Sequence, residues 1–305
     1  MGFFDNIKKQ LKNRDLIVRL IIINVIVFLV LRIISLFYFA GGGGYSPIVM
    51  QAIFFREVIS WLAVPADFQQ LTARPWTLIT YMFTQYDLMH ILFNMLIFYW
   101  FGRLFQQFIG KKDLLSTYLL GGLFGALFFI IAYNIFPVFN PELPGAQAIG
   151  ASASVMAIVF AVSLYAPDFT IHLLFIGRVK LKYIALFYLA MDLLFMFDGN
   201  AGGHIAHLGG ACYGALFTVM IKRGMNTGSW LNNFQAWVNS AFSGKPRRRM
   251  RVKHKKPMTD MEWNEMKNKK QERIDDILDK VSKTGYNSLT KEEKEILFGA
   301  GKQNN

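Results

Sequence analysis

Long apolar runs separated by short polar breaks organise this chain. Six apolar segments stand out, at approximately 16–40, 78–108, 113–137, 148–166, 180–198 and 203–222. A helix needs roughly 20 apolar residues to cross the hydrocarbon core of a bilayer, and each segment approaches or exceeds that length. The pattern predicts an all-α polytopic membrane protein with six transmembrane helices. The first segment follows "IKKQLKNR", as a signal peptide core would. Its apolar run is longer than such a core, Arg32 interrupts it, and no small-residue cleavage site follows, so it reads as an anchor.

Between segments one and two lies "GGGGYSPIVMQAIFFREVISWLAVPADFQQLTARPW". It is too apolar for a solvated linker and too broken for another span, so an element dipping into the outer leaflet is expected. Residues 1–15 place Phe3, Phe4, Ile7 and Leu11 near one helical face, an amphipathic start suited to a membrane surface. The expected organisation is an amphipathic N-terminus (1–15), a membrane domain (16–223), a basic juxtamembrane linker (224–257) and a small helical tail (258–305). In the tail, Ile274, Ile277, Leu278 and Val281 repeat at helical spacing, and Gly285 can end that helix. Thr290 and Glu293 fit a capping box that opens a second, shorter helix.

Composition sharpens this picture. Of 305 residues, 53% are hydrophobic and 17% charged, too greasy a balance for an ordinary soluble domain. The single Cys212 excludes an internal disulfide framework or a cysteine metal cluster. The net charge of +13 is unevenly spread. Basic residues flank the start of segment one, the turn at Arg103–Lys112, the start of segment five at Arg178–Lys182, and the end of segment six at Lys222 and Arg223. The positive-inside rule then puts both termini in the cytoplasm, with a bacterial inner membrane the expected location. The run "KPRRRMRVKHKK" (245–256) suits anionic lipid headgroups, and nucleic acid is not expected as a partner.

Polar groups inside spanning segments cost several kcal/mol (about 3, on insertion scales) unless paired, hydrated or functional. Four draw attention. Segment two carries His90 and Asn94, four residues apart and on one helical face; segment four opens with Ser152; segment six carries His207. Taken singly, such residues bond neighbouring helices. Together they are a nucleophile, a base able to activate it, and two side-chain donors for a tetrahedral oxyanion. With alternating spans, all four lie toward the outer ends of their helices.

The ordered strings "RPWTLITYMF", "HILFN", "GASAS" and "HLGGACYG", over roughly residues 60–220, resemble the rhomboid intramembrane serine proteases. The resemblance implies a six-helix bundle and a Ser–His dyad with no third acid, Ser152 being nucleophile and His207 general base and acid. It assigns His90 and Asn94 to the oxyanion hole, single-span membrane proteins to the substrates, and neither metal nor organic cofactor to the chemistry. This sequence departs from the commonest pattern in having Ala153 after the nucleophile, Met156 one turn later, Gln85 five residues before His90, and Thr77 after Trp76.

Two other functions fit the same scaffold less well. A non-catalytic binder of membrane helices would be expected to lack the serine or histidine. A transporter or channel would line both halves of the membrane with ionisable groups, whereas Arg32 and Asp192 are the main strays. Asp192 is read as bonding a neighbouring helix or facing a small aqueous pocket rather than completing a triad. Ser154, about 200° round the helix from Ser152, is read as a packing residue. On segment six, Gly203, His207, Gly210 and Gly214 form one stripe expected to face segment four; His204 lies off it and is expected to bond water or a loop carbonyl.

Overall fold

The computed structural model describes residues 15–41, 44–173, 176–196, 199–225 and 260–301. The expected amphipathic N-terminal segment and the basic run 245–256 lie outside the described residues. The described residues fall into two compact units, divided between Ser243 and Gly244.

Among the described residues, six longer helices frame the first unit: α1 (Leu16–Ala40), α2 (Leu88–Phe108), α3 (Leu114–Ile135), α4 (Ser152–Tyr165), α5 (Leu181–Leu194) and α6 (Ala201–Lys222). Local chemistry fixes several starts. Asp15, Asp87 and Asn200 accept from the first-turn amides of Ile17, His90 and Gly203, satisfying donors that a helix cannot pair internally. Among the described residues, four helices (α1, α2, α3 and α6) are long and apolar enough to cross a membrane. Here the structure departs from six similar segments, because α4 and α5 each have 14 residues. At 1.5 Å per residue each is about 21 Å long, short of the ~30 Å hydrocarbon core. Residues 78–87, expected within the second segment, instead form short turns before Asp87 caps α2.

The brevity of α4 has a physical reason. Every side chain from Ala153 to Ser163 is buried, so its length is matched to surrounding helices and not to lipid. Small residues allow that enclosure. A Cβ at Gly121 of α3 would lie 2.2 Å from Ala157 Cβ, and one at Gly214 of α6 would lie 2.3 Å from the Ala157 carbonyl oxygen. Such close approach substitutes for the hydrophobic drive that is missing between helices in lipid. By contrast α1 presents Ile26, Leu29, Val30, Ile33, Leu36 and Phe37 outward, as a lipid-facing helix would.

The helices alternate in direction, which gives the bundle two distinct ends. At one, Arg103 near the end of α2 pairs with Asp15 at 2.6 Å, and Lys222 at the end of α6 donates to the Leu164 carbonyl at 3.0 Å. The hairpin of β3 (Thr170–Leu173) and β4 (Gly177–Lys180) joins α4 to α5 at this basic end. The opposite end carries the starts of α2, α4 and α6. There the long first connection, with a helix at Pro47–Glu57, contributes β1 (Val64–Pro65), which pairs antiparallel with β2 (Gln147–Ala148) just before α4. Trp61 and Trp76 stack at 6.1 Å, and Trp76 donates to the Trp61 carbonyl, pinning the connection to itself.

The second unit is a helical hairpin of α7 (Asp260–Thr284) and α8 (Lys291–Gly301). Gly285, with φ of 82°, turns the chain after α7, and Ile277 of α7 and Leu289 of the connection are both buried. Thr290 N–H donates to Glu293 at 2.7 Å while Glu293 N–H donates to Thr290 Oγ1 at 3.3 Å, the reciprocal capping box legible in the sequence.

Candidate active site

The approach to Ser152 is set by Gly150. Its N–H donates to the Tyr81 carbonyl at 2.9 Å, and its φ of 125° is a conformation that a side chain would strain. Two residues later Ser152 opens α4, half-buried. A Cβ at Gly150 would stand 3.4 Å from His90 Cε1 and 3.6 Å from Ser152 Oγ, so the imidazole and the hydroxyl border the same small space. No side chain caps α4, in contrast to α2 and α6, which leaves its first N–H groups free to face an anion there. Ser154 points elsewhere: its Oγ is buried beside Gly122 of α3, without a partner among the described residues.

His207 comes to this end from α6. One turn on, Gly210 packs so tightly that a Cβ would sit 2.1 Å from the Ala153 carbonyl oxygen. That contact fixes α6 against the first turn of α4. Gly214 faces α4 as expected of the stripe, whereas Gly203 turns toward the Asn200 side chain. Ser152 Oγ makes no hydrogen bond among the described residues. In unliganded sites such bonds are often long and tighten only when substrate binds.

Asp192, in the last turn of α5, was expected to bond a neighbouring helix or face a small aqueous pocket. Its buried carboxylate does bond a neighbouring helix, and the partners are both histidines of α6. Its Oδ1 stands 2.8 Å from His207 Nδ1 and 2.9 Å from His204 Nδ1. His204 therefore meets a carboxylate and not the water or loop carbonyl expected of it. For His207 the consequence is chemical. A ring whose Nδ1–H donates to Asp192 presents Nε2 with its lone pair free, the form a general base requires.

Asn94 is buried and held within a polar chain that crosses three helices. Its Nδ2 donates to Gln85 Oε1 at 3.0 Å, Gln85 Nε2 donates to Asn24 Oδ1 at 3.0 Å, and Asn24 Nδ2 reaches the Tyr118 hydroxyl at 3.3 Å. The Tyr118 hydroxyl donates in turn to the Met82 carbonyl. Gln85 thus orients Asn94 through one amide hydrogen, leaving the other for a ligand. Asn24 escaped the sequence reading, although one amide in an otherwise apolar run was the available signal. Arg32, a stray by sequence, lies over the Tyr86 ring at 4.8 Å.

Comparison with known proteins bears directly on this arrangement. The Rhomboid domain family matches residues 72–224, half of the chain, and that stretch holds all of these groups except Asn24 and Arg32. The chain belongs to the rhomboid family. It is 32% identical over 157 residues to "RHOMBOID-like protein 12, mitochondrial" from Arabidopsis thaliana. The match covers 48% of this chain and 47% of that protein, so this rhomboid spans about half the length of the relative it matches. Residues 259–298, the tail hairpin, match a family of unknown function (DUF6576). The membership, with its long apolar helices, makes the chain an integral membrane protein. The structure also accounts for one departure from the commonest rhomboid pattern. The Ala153 methyl occupies space that Gly125 of α3 leaves open, since a Cβ on Gly125 would approach it to 2.4 Å.

Proposed function

We propose that this rhomboid is an intramembrane serine endopeptidase that cuts transmembrane segments of other membrane proteins. The reading is carried by His207, whose Nδ1 is engaged by Asp192 on a helix packed against the one that Ser152 opens. In the proposed reaction, Nε2 takes the Ser152 proton as Oγ attacks the scissile carbonyl. His90, the second amide hydrogen of Asn94 and the free N–H groups of α4 receive the oxyanion. The imidazolium then returns its proton to the leaving amine. Water, activated by the same nitrogen, releases the acyl group from Ser152. Asp192 holds the ring in its working tautomer and offsets the positive charge it acquires.

In this reading α4 and α5 cross with the other four helices as a six-span bundle. The basic end faces the cytoplasm or its equivalent compartment, both termini lie there, and the basic linker rests on anionic lipid. The alternative is a rhomboid that binds membrane helices without cutting them. A fluorophosphonate probe on the full chain in detergent separates the two. The wild type and Ser154→Ala should be labelled and Ser152→Ala should not. A wild type that resists labelling, and leaves transmembrane peptides intact, would favour the binder.

A further inference from the structure

We propose that Asp192, His204 and His207 form a site for a divalent transition metal of the zinc type, and that metal bound there switches the proteolytic centre off. Two imidazole nitrogens and a carboxylate oxygen lie within 4.8 Å of one another, contributed by two helices. Imidazole and carboxylate are ligands suited to zinc, and three of them with one open position make a familiar coordination set. Zinc bonds such atoms at about 2.0–2.2 Å, which places tetrahedral neighbours roughly 3.3 Å apart. The present 2.8 and 2.9 Å separations need open by only about half an ångström, within the reach of small side-chain rotations.

A second observation points to a missing partner. Asp192 accepts both imidazole bonds on Oδ1, while its Oδ2 is buried with no hydrogen-bond partner among the described residues. A buried carboxylate oxygen left bare is costly, and an ion gripped by both oxygens of the carboxylate would relieve it. The site is also reachable. The Asp192 side chain is 7% exposed, but those of His204 and His207 are 20% and 21% exposed, enough for an ion to enter from the site end. Catalysis by the Ser152–His207 pair gives His204 no part, whereas a metal needs it as third ligand.

The effect on activity follows from the tautomer, and this step rests on His207 being the general base. Without metal, Nδ1 carries the proton donated to Asp192 and Nε2 has the lone pair. A metal on Nδ1 takes the lone pair there, so the neutral ring must carry its proton on Nε2. No proton is lost from the ring, but Nε2 can no longer accept one from Ser152. The centre is silenced reversibly.

Full-length protein in detergent, titrated with Co2+ as a visible stand-in for zinc, should develop d–d absorption at one equivalent, and Zn2+ should displace it. His204→Gln keeps an amide donor for Asp192 but is a poor zinc ligand. It should weaken binding at least about tenfold, the lower range of what even outer-shell changes cost. Asp192→Asn should do the same. In parallel, Zn2+ but not Mg2+ should slow fluorophosphonate labelling of the wild type, chelator should restore it, and His204→Gln should lose this sensitivity. Absent Co2+ absorption in the wild type, or binding unchanged in both variants, would overturn the site. Zn2+ sensitivity kept in His204→Gln would overturn the switch. The binding readout needs no activity, so failure of the metal site and failure of the protease reading are separately visible.

Discussion

Replacing Gly210 by alanine tests how the bundle sets the distance between Ser152 and His207. The new methyl would lie 2.1 Å from the Ala153 carbonyl oxygen and 2.8 Å from its carbon. These are backbone atoms at the buried start of α4, so no side chain can turn aside. A normal carbon–oxygen contact is a little over 3 Å, and α6 must therefore retreat from α4 by about 1 Å. Overpacking of this kind costs about 1–3 kcal/mol in stability. The catalytic cost is the sharper signal, because a misplacement of about 1 Å at reacting groups lowers rate about 100-fold. The assay is the second-order rate of fluorophosphonate labelling, read beside the thermal midpoint in detergent. Leu216→Ala on the exposed face of α6 serves as control. Gly210→Ala with wild-type labelling and an unchanged midpoint would refute the idea that this contact sets the geometry.

Other outcomes follow from the same geometry. Gly150→Ala introduces backbone strain on the order of 1–3 kcal/mol and a methyl beside His90, so peptide turnover should fall at least about tenfold with substrate affinity less changed. His90→Ala and Asn94→Ala should each lower turnover by about 3 kcal/mol in the barrier, more than they weaken binding; near-normal turnover in both would make the pair structural. Gln85→Ala should reproduce part of the Asn94 effect, since it frees the amide to rotate. In the tail, the Lys280 ammonium and the Thr290 N–H hold the Glu293 carboxyl below its usual range. Its folded pKa being depressed, the stabilisation is full above the unfolded value of about 4.3 and is lost as pH falls through the folded value. Hydrogen exchange over residues 260–301 should therefore quicken in that acid range, and Glu293→Gln should abolish this dependence.

What the sequence determined by itself was local in origin. The run 16–40 appears as one helix with those same bounds, because apolar continuity and the Asp15 cap are both written within a few residues. The capping box and the turn at Gly285 were legible for the same reason. So was the uneven basic charge, which the alternating helices gather at one end of the bundle. Tertiary structure alone decided how helices rotate against each other and at what depth their polar groups meet. Nothing in the spacing of Asp192, His204 and His207 foretells one carboxylate oxygen shared by two rings, since that depends on the end of α5 meeting the start of α6. The chain from Asn94 through Gln85 to Asn24 spans residues 70 apart in sequence and exists only once α1 packs on α2. The shortness of α4 was likewise invisible. Hydrophobicity marks a segment that avoids water, and it is equally high whether the segment faces lipid or, as here, is enclosed by other helices.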